Sequence, residues 1–144
     1  MKIIILAAGY AVRLHPLTLN TPKPLLAIGG KAILDRLIDK IGTLSGWDSI
    51  YIITNDRFSG NFLKWRKTSP YKDRITVIND GTTSNENRLG AIKDMELGIR
   101  QQSIQDDLLV IAGDNLFDFD LARFIEFARK RPDGVSIAAY DVQD

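Results

Sequence analysis

The chain has 144 residues, of which 44% are apolar and 26% are charged, and its formal net charge is +1. These values are typical of one globular domain, and they give no indication of a nucleic-acid or membrane partner. Because the chain contains no cysteine, disulfides, thiolate catalysis and cysteine-bound zinc are excluded, and we expect a cytoplasmic location. The first apolar run is interpreted as a buried strand and not as a signal peptide.

Two hydrophobic periods alternate along the chain. Residues 3–6 form a continuous apolar run, which is typical of a strand covered on both faces. Residues 31–44 place apolar side chains at helical spacing and predict a helix. The later segments repeat this alternation. Strands are predicted at 49–54, 75–78, 108–112 and 135–139, and helices at 61–67, 87–101 and 120–131, the last with Asp118 or Asp120 as N-cap.

This alternation predicts an α/β fold with a doubly wound, mostly parallel sheet and helices on both faces. Ligands of such sheets bind at the carboxyl ends of the strands. Three segments that follow strands are therefore the candidate site: residues 9–23, 79–90 and 113–115. The chain stops directly after the fifth predicted strand, so we expect a fold that is truncated at its C-terminal end.

The first of these segments combines a glycine with two cations. Gly9 lets the backbone pass close to a ligand, and backbone N–H groups in such a turn can bind phosphate oxygens. Arg13 offers a planar set of donors that suits phosphate. Lys23 lies between Pro22 and Pro24, which restrict the backbone and preorganise the charge. Taken alone, Arg13 and Lys23 are better interpreted as two ordinary cations on a solvated surface loop.

Two common phosphate-binding motifs are missing from the chain. The stretch around Lys31 lacks the hydroxyl residue and the spaced glycine of GxxxxGK[ST], and the stretch after Gly9 has only the first glycine of GxGxxG. The second absence also argues against an NAD-dependent dehydrogenase. His15 is the one histidine, and we interpret it as a packing residue.

A longer pattern runs through the first segment. Its parts are Leu6-Ala7-Ala8-Gly9, Arg13-Leu14, Pro16-Leu17-Thr18, Pro22-Lys23-Pro24-Leu25 and Ile28-Gly29-Gly30-Lys31. This pattern resembles the signature of the sugar-phosphate nucleotidyltransferases, the pyrophosphorylases that make nucleoside-diphosphate sugars. Two positions depart from it: Ala11 stands where a second glycine is usual, and Val12 where a small hydroxyl residue is usual.

The resemblance implies a Rossmann-like nucleotidyltransferase fold and a reaction. A nucleoside monophosphate would pass from a nucleoside triphosphate to a sugar 1-phosphate or a related phosphomonoester, with release of pyrophosphate. Arg13 and Lys23 would be the catalytic residues, Arg13 on the β and γ phosphates and Lys23 at the reacting centre. The residues implied to wrap the nucleotide are Leu6, Ala7, Ala8, Gly9, Tyr10 and Ala11, together with Arg13 and Lys23.

The segment after residue 112 reads Gly113-Asp114-Asn115. A carboxylate at the end of a strand suits Mg²⁺, which takes one or two carboxylates together with phosphate oxygens, although Asp-Asn pairs are also common in turns. The resemblance implies a metal-binding carboxylate here, so Asp114 is the expected Mg²⁺ ligand. Asp141 and Asp144 are the late candidates for a second metal carboxylate.

Residues 79–90 form a polar segment that leads into a helix. In the family this segment recognises the base and the sugar. The candidates are Gly81, Thr83, Asn85, Arg88 and Gly90. Some choline-phosphate cytidylyltransferases have the same general fold and an Asn-rich segment here, so the acceptor need not be a sugar, and the base stays open.

We therefore expect residues 1–144 to be the nucleotide-binding part of a nucleotidyltransferase domain, with the acceptor-binding part missing. The alternative is a non-catalytic nucleotide-binding fragment or regulatory module of the same fold. The oligomeric state is not predicted.

Overall fold

The computed structural model describes residues 1–139 and 141. Four parallel strands form its central sheet, and two very short strands form an antiparallel hairpin. In chain order the strands are β1 (Lys2–Leu6), β2 (Ala27–Ile28), β3 (Lys31–Ala32), β4 (Ser49–Thr54), β5 (Ile75–Asn79) and β6 (Leu108–Ala112). The helices are α1 (Ile33–Gly42), α2 (Asp56–Arg66), α3 (Ala91–Gln101) and α4 (Leu121–Arg129).

Helices cover both faces of the sheet. Ile3 and Ile5 of β1 belong to a buried cluster with side chains of α1, α2 and α4, whereas Ile4 belongs to a second cluster against which Met95 of α3 packs. Alternate residues of a strand point to opposite faces, so an uninterrupted apolar strand is explained by cover on both sides. The predicted α/β fold is confirmed. None of the helices described is long and apolar enough to cross a membrane.

The strand order places a crevice at one position of the sheet. The order is β5-β4-β1-β6, so the chain moves outward from β1 to β5 and then crosses back to the other side of β1. The direction reverses between β1 and β6, and ligands of doubly wound sheets bind at that switch point. Leu6 of β1 is the register partner of Ala112 in β6. The Gly113 N–H also donates to the Leu6 carbonyl, at 2.8 Å.

Three of the helices begin two or more residues away from their predicted starts. The helix predicted from residue 31 begins at Ile33, because Gly29 and Gly30 make a tight turn with positive φ and the next two residues pair as β3. The helix predicted at 61–67 begins at Asp56, where the Asn55 side chain accepts from the Phe58 N–H. The helix predicted at 87–101 begins only at Ala91, because bends occupy residues 84–87 and Gly90 has a non-helical backbone, with φ 86° and ψ 159°. Asp120 is confirmed as the N-cap of α4.

The strand predicted at residues 135–139 is wrong. Val135 is 91% exposed and Ile137 is 82% exposed, and the segment forms no ladder with any described strand. A strand is stable only when a neighbouring backbone accepts and donates its hydrogen bonds. An alternating apolar pattern is therefore not sufficient where no such neighbour is present.

Candidate functional site

The carboxyl ends of β1 and β6 bring two predicted site residues together. Lys23 Nζ donates to Asp114 Oδ2 at 2.9 Å, although the two residues are 91 positions apart. Both side chains are partly accessible, at 36% for Lys23 and 40% for Asp114. An exposed pair of this kind contributes little to stability. It does place a cation and a carboxylate at the entrance of the crevice.

The backbone around Lys23 is fixed by its two prolines. Pro22 has φ −65° and ψ 146°, and a 3₁₀ turn, Lys23–Leu25, follows it directly. Pro24 is buried within this turn. Because proline restricts φ, the lysine starts from a defined backbone position. The expected preorganisation of this cation is therefore supported by the local geometry.

The first loop contains a left-handed residue, Ala11, at the position where the signature that it resembles has a second glycine. Ala11 has φ 48° and ψ 42° and precedes a 3₁₀ turn, Val12–Leu14, that carries Arg13. The buried Thr18 donates its hydroxyl to the Ala11 carbonyl at 2.8 Å, which holds this turn in place. A Cβ in the left-handed region is close to the following carbonyl oxygen. The usual glycine is thus explained by backbone conformation.

We expect Ala11→Gly to raise the free energy of unfolding by about 1 kcal/mol, because glycine removes the left-handed strain. Urea denaturation of the two proteins measures this difference. Ala122→Gly on the exposed side of α4 is the matched control, and it should lower the free energy of unfolding by about 1 kcal/mol. A loss of equal size in both variants would show that Ala11 is not strained.

Gly9 and Arg13 both face open space. A Cβ built on Gly9 would meet no atom within 4 Å. Arg13 is exposed, and no ion pair among the described residues involves it. The loop that follows the carboxyl end of β1 therefore offers two accessible groups, the backbone turn at Gly9 and the guanidinium of Arg13.

Side chains of the second loop hold one another in turns. Asn87 Oδ1 accepts from the N–H groups of Thr83, at 3.2 Å, and Ser84, at 3.0 Å. Arg88 donates to the carbonyl oxygen of Asn85 at 3.0 Å and to its Oδ1 at 2.8 Å. Three predicted residues, Thr83, Asn85 and Arg88, thus lie in one compact turn. Asn87 was not predicted, although the ability of asparagine to close such turns is a known sequence signal.

The two glycines of the second loop are required by the backbone. Gly81 has φ 78°, and Gly90 has φ 86° with ψ 159°. The second combination is essentially confined to glycine. Gly90 is the N-cap of α3, and its carbonyl accepts from the Asp94 N–H at 3.0 Å. A contact of either glycine with a nucleotide base stays a prediction.

Buried polar side chains connect the loops, and two of them, Asn55 and Thr82, are not among the predicted site residues. Asn55 Nδ2 donates to the Ala8 carbonyl at 2.9 Å while its Oδ1 caps α2. The Tyr10 hydroxyl lies 3.3 Å from Thr82 Oγ1, and this contact is also buried. Hydrogen-bonding contacts therefore connect the loop after β1 to the segments that follow β4 and β5. Asn55 follows a strand, which is the signal that could have identified it.

The carboxylates at the crevice are compatible with Mg²⁺ only together with a phosphate ligand. Within residues 1–139 and 141, no group of three or more His, Asp or Glu side chains could hold a metal by itself. Asp114 offers one carboxylate, and Mg²⁺ often takes one or two carboxylates with phosphate oxygens and water. Asp141 is exposed, and Asp144 lies outside the described residues.

Comparison with known proteins gives one family for nearly the whole chain. The family model described as nucleotidyl transferase matches residues 2–144. The bifunctional protein GlmU of Methanocaldococcus jannaschii is 34% identical over 127 residues, which cover 88% of this chain and 28% of that protein. The glucose-1-phosphate adenylyltransferase of Geobacter metallireducens is 29% identical over 149 residues, covering 96% of this chain and 36% of that protein.

The fold comparison agrees with the family model. A solved structure named "putative glucose-1-phosphate thymidylyltransferase", from Bacillus anthracis in complex with a sucrose, superimposes with a TM-score of 0.77 at 26% identity. The match covers 91% of this chain and 51% of that one. The chain spans about a third of the length of the curated relatives named above.

Proposed function

The chain belongs to the nucleotidyl transferase family, and from this premise we propose that its crevice binds a nucleoside triphosphate. The proposed activity transfers a nucleoside monophosphate to a sugar 1-phosphate or a related phosphomonoester. The observation that carries the proposal is the Lys23–Asp114 pair, which lies at 2.9 Å where β1 and β6 end. A cation and a carboxylate at a topological switch point suit a triphosphate and its metal.

The reaction needs no covalent enzyme intermediate. A phosphate oxygen of the acceptor attacks the α-phosphorus, the bond from that phosphorus to the bridging oxygen of the β-phosphate breaks, and pyrophosphate leaves with the bond electrons. The protein then contributes positioning and charge neutralisation. Lys23 would neutralise the charge that develops on the α-phosphate, and Arg13 would neutralise the leaving pyrophosphate. The open surroundings of Arg13 and Gly9 support this assignment.

Asp114 is the residue that would hold Mg²⁺. When bound, the ion would neutralise charge on the phosphate oxygens. Lys23 would leave the Asp114 carboxylate and turn to the phosphates, a change that costs little because the pair is exposed. The cytoplasmic location stays a prediction from the cysteine-free composition.

The proposal is tested by calorimetric titration with ATP, GTP, CTP, UTP and dTTP, with and without Mg²⁺. We expect one triphosphate to bind, and to require Mg²⁺. Gly9→Ala should weaken that binding about tenfold, since a side chain there enters the ligand's space. The same substitution should not lower the free energy of unfolding, because a Cβ at Gly9 meets no protein atom within 4 Å.

The outcomes separate the two candidate functions. Binding followed by release of pyrophosphate, once an acceptor is added, supports the enzyme. Binding without turnover supports a nucleotide-binding module of the same fold. The absence of binding to any of the five triphosphates by a folded chain would overturn the proposal.

A further inference from the structure

Two carboxyl groups behind the second loop are not used by the proposed reaction. Asp94 lies in the first turn of α3 and is 5% exposed. Asp80 follows β5 directly and belongs to the second loop. Asp94 Oδ1 and Asp80 Oδ2 are both inaccessible, and neither accepts a hydrogen bond from any described residue. Buried oxygens of this kind normally have a partner, so these two need an explanation.

A shared proton explains both oxygens. An ionised carboxylate only accepts hydrogen bonds, so two ionised groups cannot satisfy each other. Burial, together with the charge of the neighbouring Asp80 and a side-chain hydrogen bond to it, raises the pKa of Asp94 to about 6. A protonated Asp94 would donate one hydrogen bond to Asp80 and so supply the missing partner.

The hydrogen bonds beyond Asp80 have a fixed direction. Thr82 donates both its N–H and its hydroxyl to Asp80 Oδ1, each at 2.7 Å. A hydroxyl has a single proton, so Thr82 Oγ1 must accept from the Tyr10 hydroxyl, which lies 3.3 Å away. The chain of donors thus runs from Tyr10 through Thr82 to Asp80. Asp94 approaches the same carboxylate from α3.

Asp94 has mostly apolar neighbours on the sheet, and Asp80 is the charged group that raises its pKa. The strand face toward α3 is formed by Ile4, Tyr51, Ile53 and Ile78, with Leu6 beside them. Tyr51 is the one titratable side chain of that set. On α3 itself, Lys93 and Glu96 are exposed. The buried Asp94 thus faces the apolar side of α3, whereas Lys93 and Glu96 lie on its exposed surface.

We propose that Asp94 is a positioning residue, which shares a proton with Asp80 and thereby holds the loop after β1 and the loop after β5 in one fixed arrangement. Tyr10 follows Gly9 in the first loop, and Thr82 lies between Gly81 and Thr83 in the second. The network thus joins the turn proposed to bind phosphates to the segment proposed to bind the base. This role rests on the proposed function, because the fixed arrangement is the one that receives the triphosphate.

The test uses the conservative variant Asp94→Asn, which keeps the shape and a hydrogen-bond donor but cannot ionise. The triphosphate that binds the wild type is titrated into both proteins at about pH 5 and about pH 8, on either side of the raised pKa. The phosphate groups of the ligand themselves titrate near pH 6. The quantity compared is therefore the Kd of the wild type divided by the Kd of Asp94→Asn at the same pH, because the titration of the ligand affects both proteins equally. We expect the two proteins to have nearly equal Kd values at the lower pH. At the higher pH the wild type should bind about tenfold more weakly than Asp94→Asn.

A second readout does not depend on the nucleotide. Because the folded chain holds this proton more tightly than the unfolded chain, wild-type stability should fall as the pH rises from 3.8 to about 6 and then level off. Asp94→Asn should lack this fall. At the higher pH, the Thr82 amide should exchange its hydrogen faster in the wild type than in Asp94→Asn.

The two failures are distinguishable. If no triphosphate binds, the proposed function fails, and amide exchange and stability still decide whether the network depends on the proton. The same Kd ratio at both pH values, or the same Thr82 exchange in both proteins, would overturn the role of Asp94. Asp94→Leu, which has no donor, should bind weakly at both pH values, and restoration by Asn then excludes a purely packing role.

Discussion

Lys23→Ala is expected to slow the release of pyrophosphate by a factor of about 10²–10³, the usual cost of removing one preorganised electrostatic stabiliser. The lysine begins a proline-flanked turn at the crevice, with its Nζ 2.9 Å from Asp114. In the proposed reaction its charge acts on the phosphate under attack. Initial rates with saturating triphosphate, acceptor and Mg²⁺ measure the effect. If the chain does not turn over, calorimetric titration measures the contribution of Lys23 to triphosphate binding instead.

The control for Lys23 is a lysine far from the crevice. Lys64 is exposed near the end of α2, so Lys64→Ala should leave rate and binding unchanged. The free energy of unfolding of Lys23→Ala should change by less than about 1 kcal/mol, because its ion pair is exposed. If Lys23→Ala keeps the wild-type rate and the wild-type affinity for the triphosphate, Lys23 takes no part in the reaction. A large loss of stability would assign it a structural role instead.

Asp114→Asn is expected to lower the rate by a similar factor, about 10²–10³. Asparagine keeps the size and the turn-forming ability of aspartate but removes the charge that Mg²⁺ requires. The variant should then need a higher Mg²⁺ concentration to reach half of its maximal rate. Rates measured across a Mg²⁺ titration test this directly, since a lost ligand shifts the half-maximal concentration upward.

Asp118→Asn is the matched control for Asp114, because Asp118 is exposed and close in sequence. It should keep the wild-type Mg²⁺ dependence. If Asp114→Asn needs the same Mg²⁺ concentration as the wild type, Asp114 is not the metal ligand. The double variant of Lys23 and Asp114 adds a further test, because a purely mutual ion pair gives strongly non-additive losses.

The position of Asp114 depends on a glycine that contacts β1. A Cβ on Gly113 would lie 3.0 Å from Ile5 Cγ2 and 3.2 Å from the Leu6 carbonyl oxygen. A side chain at Gly113 would crowd β1 at the point where the chain leaves β6 and passes beside it. The two loops of the crevice are therefore brought together by close backbone packing, which places Asp114 within reach of Lys23.

Local sequence patterns were sufficient for most of the architecture. Alternating apolar runs and helical stripes predicted the parallel sheet and its covering helices, because each pattern reports which side of a short segment is buried. The segments after β1, β5 and β6 were identified for the same reason, since polar residues and glycines begin where apolar runs end. The sequence pattern around Gly9 and Lys23 also indicated the family to which the chain belongs.

Contacts between distant residues were decided only by the tertiary structure. The Lys23–Asp114 pair, the Tyr10–Thr82 contact and the Asp80–Asp94 pair depend on strand order and register. Those are set by packing across the whole sheet, and no window of sequence encodes them. Segment 135–139 shows the same limit. Its apolar pattern predicts which side chains of a strand would be buried, but it does not show whether a neighbouring strand is present to pair with it. The sequence therefore determined which segments are strands, helices and site loops, and the packed sheet determined which of their side chains meet.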